Sequence, residues 1–125
     1  MPNSALLYIG SVVIILWGIA HLIPTKSIIA GFNNISDDNM YIITMEWIAE
    51  GLAIIFAGMV VLVPLILYGA DNSVVLTIST VSAVMLVVMA VLSLFTGYRT
   101  SIIPMKICPF VKTFVAVLFL LGSLF

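Results

Sequence analysis

Residues 51–95 read GLAIIFAGMVVLVPLILYGADNSVVLTISTVSAVMLVVMAVLSLF and contain a single charged residue, Asp71. The polar stretch Gly69–Asn72 predicts a tight turn between two long apolar runs. A helix needs about 20 apolar residues to cross a hydrocarbon core about 30 Å thick. These two runs therefore predict an antiparallel pair of membrane-spanning helices, over about 40–68 and about 73–98.

Two further apolar runs flank this pair. One covers about 5–23 and is stopped by Pro24, and the other covers about 109–125 and opens at Pro109, a residue suited to a first helical turn. Ser36 and the polar residues that follow it supply helix-capping side chains for the second helix. The sequence thus predicts an all-α fold, an integral membrane four-helix bundle with up-down-up-down topology, in a single domain over 1–125.

The composition supports a lipid environment. Hydrophobic residues make up 64% of the chain and charged residues 7%, whereas a soluble globular domain is typically about 45–50% apolar and about 25% charged. The net charge of -1 offers no polybasic face for nucleic acid, and the single Cys108 excludes an intrachain disulfide. Nothing basic precedes the first apolar run, so we expect it to be a retained helix rather than a signal peptide.

The basic residues predict the orientation, because cytoplasmic loops are enriched in Lys and Arg. Lys26 lies in the first connection, and the third connection is flanked by Arg99, Lys106 and Lys112. We therefore predict a multi-pass cell-membrane protein with this side cytoplasmic and both termini extracytoplasmic. Within these connections, Lys26–Phe32 is amphipathic and could form a short helix at the membrane surface, and Thr100–Cys108 has a similar pattern.

Polar residues within the spans predict a cluster in one leaflet. An ionisable group inside a spanning helix costs about 2.5–3.5 kcal/mol on insertion scales, so it usually faces the bundle interior and has a partner. Glu50 should lie about 6 Å deeper than Glu46, which is one helical turn away on the same face. We expect Glu50 to be buried and paired with His21, Arg99 or Lys112. The predicted cluster comprises Trp17, His21, Glu46, Glu50, Tyr98, Arg99 and Lys112.

Small residues indicate which helix faces point inward, because they allow neighbouring backbones to approach closely. On the second helix, Glu46, Glu50, Ala53 and Ala57 share one stripe, which we expect to face inward. The corresponding stripes are Gly10, Ile14, Trp17 and His21 on the first helix, Ser79, Ala83, Leu86, Ala90, Ser93 and Gly97 on the third, and Lys112, Ala116, Phe119 and Ser123 on the fourth.

Each polar residue also has a simpler interpretation. His21 and Lys112 could mark helix ends where their side chains reach water, and Glu46 could extend outward in the same way. Trp17 could only fill the core, and Trp47 could be an interfacial anchor. A buried ion pair could serve only to fix helix register. One histidine and two glutamates could in principle bind a metal ion, but we predict no metal site and no catalytic residues.

Two segments carry a family resemblance: WGIAHLIP at Trp17–Pro24 and EWIAEGLAIIFAG at Glu46–Gly58. With these segments the first half of the chain resembles the DoxX-like family of small four-helix integral membrane proteins. The resemblance implies an association with membrane redox and quinone-linked processes, or with helper roles beside other membrane proteins. Glu50 and Gly51 match a family position, whereas the family's basic residue early in the first helix is missing here.

The sequence leaves several functions open. The first is a non-catalytic subunit or assembly helper of a larger membrane complex, favoured by small residues beyond those that four helices need, among them Gly51 and Gly58. The alternative is a binding or conducting site for a small amphiphile, a quinone, a proton or an ion at His21, Glu46 and Glu50. A membrane enzyme with Glu50 and His21 as acid and base is a third. The expected partners are the lipid bilayer, another membrane protein or a second copy of the chain, and a quinone or lipid-like ligand; no cofactor is assigned.

Overall fold

A computed structural model describes residues 1–125 and is all-helical. The helices are α1 (Ser4–Leu22), α2 (Thr25–Ala30), α3 (Asp37–Tyr68), α4 (Ser73–Phe95) and α5 (Ile103–Leu124), with a short 3-10 helix at Gly97–Arg99. Four of them, all except α2, are long and apolar enough to cross a membrane. The predicted four-helix bundle is confirmed.

Side-chain caps explain where three of the long helices begin. The side chains of Asn3, Ser36 and Asn72 each accept a hydrogen bond from a backbone N–H in the first turn of α1, α3 and α4. Such a bond satisfies one of the N–H groups that a helix start leaves without a partner. At the other end of α3, Gly69 adopts a positive φ of 78°, which suits glycine because it has no Cβ.

The four long helices form a ring in the order α1, α3, α4, α5. The closest pairs are α1 with α3 and α4 with α5, whereas α3 and α4 touch less extensively although only the turn Gly69–Asn72 joins them. The first and last turns of the chain meet, since the Asn3 N–H donates to the Gly122 carbonyl at 2.8 Å. An open seam between α3 and α4 is therefore a feature of this bundle.

Glycine permits the close contact between α1 and α3. A Cβ added at Gly18 would lie 2.9 Å from the backbone nitrogen of Ile55, and one added at Gly58 would lie 2.8 Å from the Ser11 carbonyl oxygen. A Cβ at Gly51 would meet the Leu22 side chain. Gly51 and Gly58 are therefore used within the bundle and offer no surplus packing surface.

The predicted inward stripe of the second helix is wrong in part. Glu46 and Ala53 are exposed, Glu50 is half-buried, and only Ala57 is buried. The inward face of α3 instead carries Gly51, Ile54, Gly58, Val61 and Leu65, because the glycines bring α1 onto that face. The acidic stripe is turned toward the seam with α4.

The stripes of the other helices match the buried positions more closely. The buried residues include Gly10, Ile14 and His21 on α1, Ser79, Ala83, Leu86, Ala90 and Ser93 on α4, and Lys112, Ala116 and Phe119 on α5. Trp17, Gly97 and Ser123 are half-buried, and Gly97 lies in the 3-10 helix rather than in α4.

The predicted start of the fourth span, near Pro109, is wrong. α5 begins at Ile103 with Pro104 in its first turn, where proline's fixed φ suits a helix start, and it continues through Pro109. Pro109 removes one intrahelical hydrogen bond, but both it and the adjacent Cys108 are buried against the bundle. The stretch Thr100–Cys108 is consequently not a separate surface segment.

The remaining boundaries shift in ways that concern the site. α4 ends at Phe95, and the 3-10 helix completes the apolar span Ser73–Arg99, which matches the predicted end near residue 98. α3 has 32 residues, a length of about 48 Å against a hydrocarbon core of about 30 Å. Because α1 ends beside Trp47, the stretch Asp37–Glu46 extends past α1, and α2 packs against it. The prediction of a short helix within Lys26–Phe32 is confirmed in α2.

Candidate functional site

An ion pair between α3 and α5 lies at the centre of the candidate site. The Lys112 ammonium donates to Oε1 of Glu50 at 2.9 Å and to Oγ of Ser93 at 2.8 Å. Ser93 in turn donates to the Met89 carbonyl at 2.8 Å. Hydrogen bonds in which the donor or the acceptor is ionised are the strong ones in proteins. Those of Lys112 connect α5 to both α3 and α4.

The two partners of this pair differ in exposure. The Lys112 side chain is 0% exposed, whereas the Glu50 side chain is 36% exposed. The interpretation of Lys112 as a helix-end residue that reaches water is therefore wrong, because it lies well inside α5 and points into the bundle. The carboxylate remains accessible, so the prediction that Glu50 is buried is wrong, although Lys112 is one of the partners considered for it.

His21 and Trp47 form a second unit beside the pair. Their rings stack with centroids 4.1 Å apart. The Trp47 indole N–H donates to the His21 carbonyl, and Nε2 of His21 donates to the Trp47 carbonyl, each at 3.1 Å. Nε2 of His21 also lies 3.9 Å from Oε2 of Glu50. Trp47 thus fixes the end of α1 against α3, in addition to any role as an interfacial anchor.

Glu50 faces a cavity of about 410 Å³, which we call the Glu50 cavity. Two of its lining residues are polar, Glu46 and Glu50, and both are acids. The lining residues come from α2 and the chain after it, from α3 and from α4: Ile28, Phe32, Ile42, Ile43, Glu46, Trp47, Glu50, Met89 and Leu92.

A second cavity of about 380 Å³ follows the open seam between α3 and α4, and we call it the seam cavity. Its lining includes Ala53 and Ala57 from α3, and Ser82 and Met85 from α4. The only side-chain hydrogen bond across this seam joins the Ser82 hydroxyl to the Ala57 carbonyl at 2.8 Å. Met89 lines both cavities, so the two lie next to each other along α4.

Comparisons of this chain with protein-family models, with curated proteins and with solved structures found no match.

The structure brings together three residues of the predicted cluster, His21, Glu50 and Lys112. Glu46 lines the Glu50 cavity but forms no ion pair; Glu50 pairs with Lys112 and has Nε2 of His21 beside its other carboxylate oxygen. Trp17 is half-buried at a different contact, where its indole N–H lies 3.4 Å from the Cys108 sulfur.

Tyr98 and Arg99 lie apart from the ion pair, in the exposed 3-10 helix. The Tyr98 ring contacts Phe110 edge-on, and the Lys106 ammonium lies 5.0 Å from the centre of that ring. Of the partners considered for Glu50, the structure selects Lys112 and His21 rather than Arg99.

The sequence did not single out Ser93 and Met89 as members of the site. Ser93 is part of the small-residue stripe of α4, and a serine on an inward stripe near a buried lysine is a natural hydrogen-bond partner. Met89 gives no such signal, because its role depends on where the two cavities meet.

Proposed function

We propose that this chain is a multi-pass membrane protein that binds a small amphiphilic molecule from the bilayer. The polar part of the ligand lies in the Glu50 cavity and its apolar part in the seam cavity. One observation carries the proposal: a fully buried ammonium group holds a half-exposed carboxylate at the wall of an otherwise apolar cavity. Ligand sites typically have this composition, mostly apolar with a few well-placed polar groups.

The asymmetry of the ion pair favours binding over a purely structural role. An ion pair that serves only to fix helix register would be strongest with both side chains buried, because partial exposure weakens the attraction between the two charges. Here Lys112 is enclosed, while the Glu50 carboxylate is open to the cavity. The carboxylate is therefore fixed in position and free to contact a ligand.

The helper hypothesis receives less support from the packing. It drew on small residues of α3 as surplus contact surface, but Gly51 and Gly58 are covered by α1 and Ala57 is buried, so that only Ala49 and Ala53 remain exposed. A non-catalytic subunit role remains the alternative outcome of the experiment below. The likeness to DoxX-like proteins stays a prediction, and no ligand is taken from it.

We further propose that the end of the bundle near Glu50 faces the cytoplasm. Lys26, Arg99 and Lys106 lie at or beside the connections at this end, and the opposite end has no lysine or arginine. Lys112 is buried and no longer counts toward the orientation. By the positive-inside rule both termini then lie outside the cytoplasm.

Native mass spectrometry of the chain, extracted gently from its own membrane, tests the proposed function. We expect the chain, alone or as a homo-oligomer, to carry a reproducible small-molecule mass. Emergence in a fixed ratio with another polypeptide and without that mass would establish the helper hypothesis instead. A chain that emerges bare from mild extraction would contradict the proposal.

A further inference from the structure

The charge of the Glu50 cavity restricts which amphiphile fits it. Glu46 and Glu50 contribute two carboxylates, and the ammonium of Lys112 balances one of them. No lysine or arginine lines the cavity. With His21 neutral, the lining of the cavity carries one net negative charge, which attracts a cation.

The cavity also lacks a free hydrogen-bond donor. The indole N–H of Trp47 is already bonded to the His21 carbonyl. The Lys112 ammonium is fully buried behind Glu50 and bonded to Glu50 and Ser93. A quinone carbonyl would find no side-chain donor here while both glutamates are ionised, and an anionic head group would be repelled.

The remaining lining suits an organic cation. Phe32 and Trp47 contribute aromatic rings to the lining, and an aromatic ring attracts an organic cation through its negative face. One face of the Trp47 ring is covered by His21, so only its other face is available. We infer that the ligand is a lipophilic organic cation, in which an amine or quaternary head lies near Glu46 and Glu50 and an apolar body extends along the seam. This inference rests on the proposed function and specifies its ligand class.

A zwitterionic phospholipid head group fits less well, although it also carries an ammonium. Its phosphate would enter the same cavity close to the two carboxylates, and like charges repel. A compact cation without an attached phosphate avoids this repulsion, so we assign the site to a free lipophilic cation.

Equilibrium dialysis of radiolabelled tetraphenylphosphonium against the full-length protein in the uncharged detergent dodecyl maltoside tests this inference. Wild-type protein should bind the cation saturably, and Glu46→Gln should weaken binding about tenfold because one carboxylate is lost. Glu46 is exposed and forms no ion pair, so this variant should fold normally. Asp71→Asn is the matched control, since it removes one acidic charge in the exposed turn at the other end of the bundle.

Two competing probes identify how the inference could fail. Saturable binding of a decyl-substituted benzoquinone, without binding of tetraphenylphosphonium, would support an amphiphile site but contradict the assignment of a cationic ligand. Displacement of tetraphenylphosphonium by dodecylphosphocholine would assign the site to a lipid head group instead. Equal binding by wild type and Glu46→Gln, or no binding at all, would also overturn the inference, whereas the proposed function itself depends on the mass spectrum.

Discussion

Lys112 brings a positive charge into a core whose other large buried side chains are almost all apolar. Its stability there depends on Glu50 and Ser93, because a buried charge without a partner is very costly. The two ends of the ion pair are not equivalent. Loss of the carboxylate leaves an enclosed ammonium, whereas loss of the ammonium leaves a carboxylate that the cavity can hydrate.

Glu50→Gln should therefore destabilise the protein more than Lys112→Met. We expect Glu50→Gln to lower the free energy of unfolding by about 2 kcal/mol, less than the loss of a partner from a fully buried pair, because the Glu50 carboxylate is half-exposed. The double variant Glu50→Gln/Lys112→Met should recover most of the loss, because no charge remains buried. Thermal unfolding in detergent measures all three. Equal effects of the two single variants, without recovery in the double, would show that the pair does not govern stability at this position.

At the scale of single residues, the sequence predicted part of the site. The spacing of Glu46 and Glu50 on an apolar helix was enough to identify Glu50 as a residue in need of a partner. The sequence could not show whether the partner of Glu50 is His21, Arg99 or Lys112. The partner depends on the rotation of α5 and on the 3-10 helix, which turns Arg99 outward.

The contact between α1 and α3 shows how secondary-structure elements position the site. The glycines at this interface bring the end of α1 close enough for His21 to stack on Trp47 and approach Glu50. No glycine brings α4 into similarly close contact with α3, and the seam cavity lies between these two helices. Close packing on one side of α3 and an open seam on the other thus define the site.

Gly18→Ala should separate α1 from α3 and destabilise the protein by about 1–3 kcal/mol, the usual effect of overpacking. Its added methyl group would meet the backbone of Ile55 and Gly51, which cannot move aside as a flexible side chain can. Gly97→Ala is the control, since a Cβ there has its nearest neighbour at an ordinary 3.5 Å. Thermal unfolding of the two variants makes the comparison, and equal stability would argue against the close contact.

Element boundaries were predictable where strong local signals exist. Ser36 and the turn Gly69–Asn72 placed α3 and the start of α4 within a few residues. Pro109 misled the prediction for α5, because proline suits a helix start but is also tolerated within a helix when tertiary packing compensates. The inward face of α3 was mistaken because both its acidic stripe and its glycine face contain small residues, and only the neighbouring helix distinguishes them.

At the scale of the whole molecule, the ring of four helices places the site at one end, and the proposed orientation makes that end cytoplasmic. The termini and the turn between α3 and α4 then lie on the opposite side. The up-down topology follows from the lengths of the apolar runs. The proposed orientation is based on only three basic residues, Lys26, Arg99 and Lys106, and a labelling experiment can test it.

Cysteine labelling in intact cells should report this orientation. In a Cys108→Ser background, Asp71→Cys should react with a membrane-impermeant maleimide, because this turn is exposed on the outer side. Lys26→Cys, also exposed, should react only after the membrane is permeabilised. The reverse pattern would invert the orientation, and reaction of both before permeabilisation would contradict the assignment of these segments to opposite sides.

If an amphiphile occupies the seam beside Glu50, a bulky side chain in the seam should displace it, and native mass spectrometry of two variants at alanine positions can detect the loss. Ala53 lines the seam cavity, whereas Ala49 is exposed one turn earlier on α3 and lines neither cavity. Ala53→Phe should fill the seam and lose most of the small-molecule mass, while Ala49→Phe should retain it at the wild-type level. Equal retention by the two variants would contradict the claim.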